Sequence, residues 1–303
     1  VIIYFSGGGV TGVWQRVNDL LIERRAARLL SFAYSKLLFQ YCDRVKHHAV
    51  RSKVMVDSGA FTAWSKGTSV ELDDLSDLFK RLQDAYSEYC EFVLINLDVI
   101  PGSKGVDPTA QELIDAQRRS EENFAILNAR FPGLVLPVFH QGESDEYYDA
   151  LVSASQYVCI SPRNDLPEKL RVEWSRRFCN RTRRKFHGLA ATGLTMMETV
   201  PWHSVDSAAW VMVGGYGGIF YRTASKLQVL TVSAQSPSVK DAERHIRTLK
   251  PHMRAYVLDT INAKGYDIAK LESDDTERYC WNAECWLDLK LKDRLVAPNE
   301  DLF

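Results

Sequence analysis

Nowhere does this chain carry an apolar run near the roughly 20 residues that a bilayer-spanning helix needs. Its opening Val1-Ile2-Ile3-Tyr4-Phe5 is too short for a signal-peptide core, has no basic lead and runs straight into glycines. It reads as a first strand, and a cytoplasmic location without membrane contact is expected. An excess of one charge is also missing: 38 Lys and Arg face 39 Asp and Glu, a net charge of −1. Any contact with nucleic acid must therefore come from local patches. The six cysteines are scattered, and only Cys280 and Cys285 are close. Their spacing is wider than the commonest zinc knuckles and no His follows them, so reduced thiols and no metal are expected. There is no low-complexity tract, no internal repeat and no long linker.

What is present is the composition of an ordinary folded enzyme: 46% hydrophobic and 25% charged over 303 residues. Eight short apolar runs recur, at Val1–Phe5, Leu29–Tyr34, Lys53–Val56, Phe92–Leu97, Leu134–Phe139, Tyr157–Ile160, Lys185–Ala190 and Ala208–Val213. Between them lie helical patterns, clearest at Val70–Glu88, Thr109–Phe131, Asp145–Ser155 and Lys169–Asn180. Thr109 with Glu112 forms a capping-box pattern, and Pro132-Gly133 is a stop signal. Near-continuous apolar strands alternating with helices indicate a parallel sheet covered by helices. The count of eight favours a closed (β/α)8 barrel of TIM type over an open sheet. The barrel core is expected at 1–215. Residues 216–303, with helices at Lys240–Leu249 and Glu277–Lys290, complete and cover it without forming a separate domain.

A barrel enzyme carries its chemistry at the C-terminal ends of its strands, and polar residues cluster there. The first run ends in Ser6-Gly7-Gly8-Gly9 and the third in Asp57-Ser58-Gly59-Ala60-Phe61. The fourth leads to Asp98 and the fifth to His140-Gln141-Gly142-Glu143. The sixth ends in Ser161-Pro162-Arg163-Asn164, the seventh in His187-Gly188-Leu189-Ala190, and Asp206 precedes the eighth. An Asp after a strand is most often a helix cap. Two at equivalent strand ends, each followed by Gly or Pro rather than a helix start, reverse that preference. The glycine triplet and Gly214-Gly215-Tyr216-Gly217-Gly218 read either as turns or as phosphate cradles. Six cations crowd 176–185 without an acid among them, so Arg181, Arg183, Arg184 and Lys185 are candidates for nucleic-acid contact, with a solvated helix face as the plainer alternative.

At these residues the sequence resembles the tRNA-guanine transglycosylase superfamily over roughly 1–215, and in detail its phage DNA-modifying branch. Asp57-Ser58-Gly59-Ala60-Phe61 looks like the family's Asp-Ser-Gly-Gly-Phe/Tyr motif, followed in order by Asp98, Gln141-Gly142 and Asp206. Ser6-Gly7-Gly8-Gly9, Phe139-His140-Gln141-Gly142-Glu143, Ile160-Ser161-Pro162 and Ser204-Val205-Asp206-Ser207 look more like the phage branch. The resemblance implies exchange of guanine in DNA for a 7-deazaguanine base such as preQ0. Asp206 would be the nucleophile at C1′ and Asp57 the general acid/base. Asp98 would accept from the guanine-type N1–H and amine, and Gln141 and Gly142 would bind the carbonyl edge. Ser58, Gly59, Phe61, His140, Ser161, His187 and Gly188 complete the expected base pocket. Phe61, Phe139 and His187 are candidates for an aromatic lid, with core packing the commoner role for such residues.

The resemblance has departures. The cellular tRNA enzymes hold zinc with three Cys and one His, a set this chain lacks, so no metal and no cofactor are implied. Asp206 is followed by Ser207-Ala208-Ala209 before the apolar run, whereas the family's Asp abuts its strand. The alternatives are a transglycosylase acting on tRNA, a non-catalytic nucleic-acid-binding subunit, and an unrelated lyase or isomerase barrel. A homodimer or an accessory protein is compatible with the first reading.

Overall fold

The computed structural model describes residues 1–102, 106, 108–191, 193–222 and 227–289. Its strands are β1 Ile2–Phe5, β2 Ala27–Ser31, β3 Ser52–Asp57, β4 Cys90–Ile95, β5 Val135–Leu136, β6 Val138–His140, β7 Tyr157–Ser161, β8 Lys185–Gly188 and β9 Ser204–Ser207. All pairings among them are parallel, in the order β5-β4-β3-β2-β1-β9-β8-β7-β6. β5 and β6 are halves of one strand interrupted at Pro137. The imide nitrogen cannot donate to a neighbour, although the Pro137 carbonyl still accepts from Cys159 N–H at 2.8 Å. The nine segments therefore occupy eight strand positions and close on themselves: this is an α/β fold of the TIM-barrel type.

Helices follow the strands in chain order: α1 Trp14–Glu23, α2 Ser35–His47, α3 Ala60–Lys66, α4 Leu72–Tyr86, α5 Ala110–Arg130, α6 Asp145–Ala154, α7 Glu168–Cys179, α8 Leu194–Thr199 and α9 Ala209–Gly215. The local physics is legible in several. α4 buries Leu75, Leu78, Phe79, Leu82 and Tyr86, a spacing of three and four that makes one apolar stripe. Each such side chain contributes about 1.5–3 kcal/mol when fully buried. α5 opens with the expected reciprocal cap: Thr109 Oγ1 accepts from Glu112 N–H and Glu112 accepts from Thr109 N–H.

Packing divides the described residues into two compact units. Val1–Ser6 with Arg25–Ser207 hold all nine strands; Gly7–Arg24 group with the described part of Ala208–Lys290. In the first unit, alternate strand residues fill the barrel. Tyr4, Ala27, Leu29, Met55, Ile95, Leu136, Val138 and Cys159 form one buried cluster. Because side chains alternate along a strand, the same inward rows continue to Ser31, Asp57, His140 and Ser161 at the strand ends.

The second unit adds α10 Pro251–Ala263, α11 Ile268–Ser273, α12 Asp275–Leu287 and an antiparallel hairpin, β10 Gly218–Arg222 with β11 Leu227–Thr231. Its core joins Ile219, Tyr221, Leu230, Ile246, Val257, Ile261, Leu271 and Trp281. Trp14 of α1 stacks on Tyr279 of α12, ring centroids 4.5 Å apart. A Cβ at Gly9 would stand 2.5 Å from the Trp14 ring, and one at Gly214 2.6 Å from Tyr279. Gly8, Gly9, Gly214 and Gly215 thus leave space for aromatic rings, which accounts for part of each run without a phosphate.

Three expectations are corrected. The run Ala208–Val213 is not the eighth strand; it opens α9, and the strand is Ser204–Ser207. Ala and Met favour a helix, while the true strand turns polar side chains into the barrel and so lacks an apolar signature. Lys240–Leu249 is not an α-helix: one short 3-10 turn, Pro237–Lys240, ends at its first residue, a second, Ile246–Thr248, lies within it, and α10 starts at Pro251. The last helix begins at Asp275 with Asp274 as its cap; Lys290 lies outside the described residues. Among the described residues, no helix is long and apolar enough to cross a membrane.

Candidate active site

Three aspartates meet at the C-terminal end of the barrel. Asp57 ends β3, Asp98 follows β4 by three residues, and Asp206 lies within β9. Their charges act on one another and on the Cys159 thiol beneath them, whose proton is held mainly by burial and further by these three carboxylates.

Asp57 is pushed up to about 6. Burial is the largest cause; the Ser31 hydroxyl and the Gly59 N–H counter it, while Asp98 and Asp206 add to it. The Gly59 N–H reaches Asp57 Oδ2 at 3.2 Å. Gly59 needs to be glycine: it has φ +79°, and a Cβ would lie 3.2 Å from the Ala33 nitrogen. Ser58 is buried, and its hydroxyl accepts from Ala60 N–H.

Asp206 is held differently. His187 Nε2 lies 3.3 Å from Asp206 Oδ1, and the Ala190 N–H donates to the same oxygen at 3.1 Å. Oδ2 has no hydrogen-bond partner among the described residues. Behind His187, its Nδ1 is 2.6 Å from the Ser204 hydroxyl, which bonds in turn to Tyr157 OH. His187 is fully buried, edge-on to Tyr4 at 5.7 Å. It is a support beneath the nucleophile candidate and, of its two expected roles, takes the buried one rather than a place in a lid.

Asp98 pairs with His140, Oδ2 to Nε2 at 2.7 Å, and its Oδ1 has no partner among the described residues. Burial disfavours the imidazolium, yet the Asp98 carboxylate outweighs it and lifts His140 to about 9. His140 is therefore charged at neutral pH. Its backbone N–H donates to Glu143 Oε2 at 2.6 Å. Burial raises Glu143 to about 7, an effect that the His140 charge reduces.

The remaining expected residues divide into two groups. Ser161 stands at the end of β7, Gln141 Oε1 accepts the Arg163 N–H at 3.0 Å, and Gly142 takes φ +116° in an exposed turn. Gly188 is buried under Trp202, where a Cβ would come within 3.0 Å of the indole. Phe61 is 66% exposed on α3 beside Trp64, a position open to a ligand. Phe139 is excluded from a lid: it is fully buried among Tyr148, Trp174 and Phe178.

Arg181, Arg183, Arg184 and Lys185 are not brought to this site. They precede or open β8, so they stand at the N-terminal end of the barrel, away from the carboxylates. Arg181 is also occupied, bonding Asp145 and Asp149 and lying 4.8 Å over the Tyr148 ring, while Arg184 donates to the Val152 carbonyl. Missed from the sequence were Ser31, Ser204 and Tyr157. Ser31 had a signal, the period-two row Ala27, Leu29, Ser31 ending in a hydroxyl; the other two were visible only through their bonds.

One acidic group near neutrality, one carboxylate with a free oxygen and one carboxylate that can accept from a base edge make a set suited to two successive displacements at a carbon. Compared with models of known protein families and with curated protein sequences, the chain matches none.

Proposed function

We propose that this chain is a transglycosylase that exchanges guanine in nucleic acid, DNA in the first place, for a 7-deazaguanine base. The observation that carries the reading is the contrast between two carboxylates in one mouth: Asp57 shifted to about 6, and Asp206 oriented through Oδ1 with Oδ2 open. Asp206 Oδ2 attacks C1′, and the electron pair of the C1′–N9 bond leaves with guanine, which takes a proton from Asp57. The incoming base returns a proton to Asp57, and its N9 attacks C1′ and releases the Asp206 carboxylate. Asp98 Oδ1 accepts from the N1–H and amine edge. A base inside a duplex cannot reach such a mouth, so a flipped or single-stranded nucleotide is the substrate form.

The test is exchange of labelled guanine, run in parallel on DNA and on tRNA with Asp206→Ala as control. Label is expected in DNA, with a loss of at least about 10⁴-fold in the variant while oligonucleotide binding persists. Exchange by Asp206→Ala at near the wild-type rate would remove Asp206 from the mechanism. Label in tRNA alone would keep the chemistry and change the polymer.

A further inference from the structure

A mouth lined by Asp57, Asp98, Asp206 and Glu143 repels a polyanion, so a nucleic-acid strand needs a cation close to it. Most arginines that form ion pairs are already committed. Arg163, after β7, is held by both oxygens of Asp165, and Arg177 and Arg181 are held by Asp145. Arg171, in the first turn of α7, differs. Its Nη2 donates to Asn164 Oδ1 at 2.8 Å and to the Ala190 carbonyl at 3.4 Å, both neutral acceptors. No carboxylate pairs with it among the described residues, and its buried Nε–H has no acceptor there. The outer end of the guanidinium is exposed, so its Nη groups stay open to a further acceptor.

Ala190 ties this cation to the nucleophile candidate. The same residue donates its N–H to Asp206 Oδ1 and offers its carbonyl to Arg171. It does so at φ +51°, a left-handed conformation that a side chain disfavours. The guanidinium is thus linked through a single residue to the carboxylate that would attack C1′. A nucleotide held there carries a phosphodiester on each side of its sugar, and the planar guanidinium fork matches phosphate oxygens.

We propose that Arg171 is a phosphodiester-binding residue of this mouth, receiving the backbone phosphate next to the target nucleoside; this rests on the transglycosylase reading. Binding there gives the strand a fixed register against Asp206. It also places the nucleic-acid contact at the C-terminal end of the barrel rather than at Arg181–Lys185.

The test measures binding of a nine-residue single strand with one guanine, as DNA and as RNA, across a salt series. Arg171→Gln is expected to weaken binding roughly tenfold at low salt and to lower the log–log salt slope by about 0.7, the value for one phosphate on a single strand. Arg171→Lys, which keeps the charge, is expected to keep the slope. A neutral methylphosphonate beside the guanine should weaken wild-type binding and leave Arg171→Gln indifferent, and its wild-type arm needs no variant to fold. The deoxy and ribo arms show which strand supplies the phosphate. The triple variant Arg181→Gln, Arg183→Gln and Arg184→Gln is expected to change the slope by less than Arg171→Gln alone. Unchanged slope and unchanged methylphosphonate sensitivity in Arg171→Gln overturn the proposal alone. Failure of the wild type to bind either strand overturns it together with the transglycosylase reading, and binding without base exchange overturns only that reading.

Discussion

Asp57 and Asp206 sit three strands apart around one barrel, in the order β3-β2-β1-β9, and their surroundings have opposite consequences. Asp57 is desolvated and faces two other carboxylates, so its proton is held up to about 6. Asp206 has a backbone N–H and a buried imidazole fixed on a single oxygen, which orients the group and leaves the other oxygen open. Two identical side chains thus differ in what they can do: one holds a proton near neutrality, and the other is oriented with one oxygen open, which the proposed mechanism uses as acid/base and nucleophile. Asp98 is a third case, its charge balanced by His140.

The comparison breaks most visibly at Asp57. Asp57→Asn is expected to slow formation of the glycosyl-enzyme by about 10²–10⁴-fold. In the wild type this half-reaction needs the protonated acid, so its rate should fall as pH rises past about 6, and the variant should lose that inflection. Single-turnover kinetics across pH 5–8 checks both; an unchanged inflection would assign it to another group. The same variant should be more stable than the wild type. A pKa raised from 3.8 to about 6 means that ionisation opposes folding above that pH. At pH 8 the gain is roughly 1–3 kcal/mol, narrowing as pH falls toward 4, which urea denaturation reads directly.

On the Asp206 side the expected effect is smaller. His187→Gln removes the imidazole from Oδ1 and cuts the link to Ser204, but the Ala190 N–H stays. A fall in kcat of roughly 10–100-fold is expected, with KM near the wild-type value. A kcat within twofold of wild type would show that Ala190 suffices and would reduce His187 to packing.

His140→Gln sharpens the third case, with an effect on stability. The His140 pKa is raised from 6.5 to about 9, so its pairing with Asp98 stabilises the fold fully below pH 6.5 and the contribution is lost as pH rises through 9. The variant is expected to lose about 1–3 kcal/mol at pH 6 and almost nothing at pH 10. A constant difference across that range would point to lost packing instead of a charge pair.

Much of this arrangement was legible in advance because barrels have a strong sequence rhythm. Seven of the strand positions follow apolar runs, since a strand buried on both faces must be apolar on both. Asp57 and Asp98 were legible because each follows such a run without opening a helix directly. The eighth strand was not. In Ser204, Val205, Asp206 and Ser207 the inward residues Ser204 and Asp206 are polar and meet His187, so the feature that builds the candidate site also erased the apolar signal. The hairpin Gly218–Arg222 and Leu227–Thr231 was hidden by the glycines before it, of which Gly214 and Gly215 make room for Tyr279, a packing need that no local pattern announces.

The sequence by itself determined the barrel rhythm, its period and the two carboxylates Asp57 and Asp98 at strand ends, because alternation and run length are local properties of a chain. Only the tertiary structure decided what each polar group became. It put His187 under Asp206, paired His140 with Asp98, sent the Arg181–Lys185 run to the far end and left Arg171 beside the mouth without a carboxylate. Those outcomes depend on which residues meet across 16 to 42 positions of sequence, and such meetings are fixed by barrel closure, not by any window of neighbouring residues.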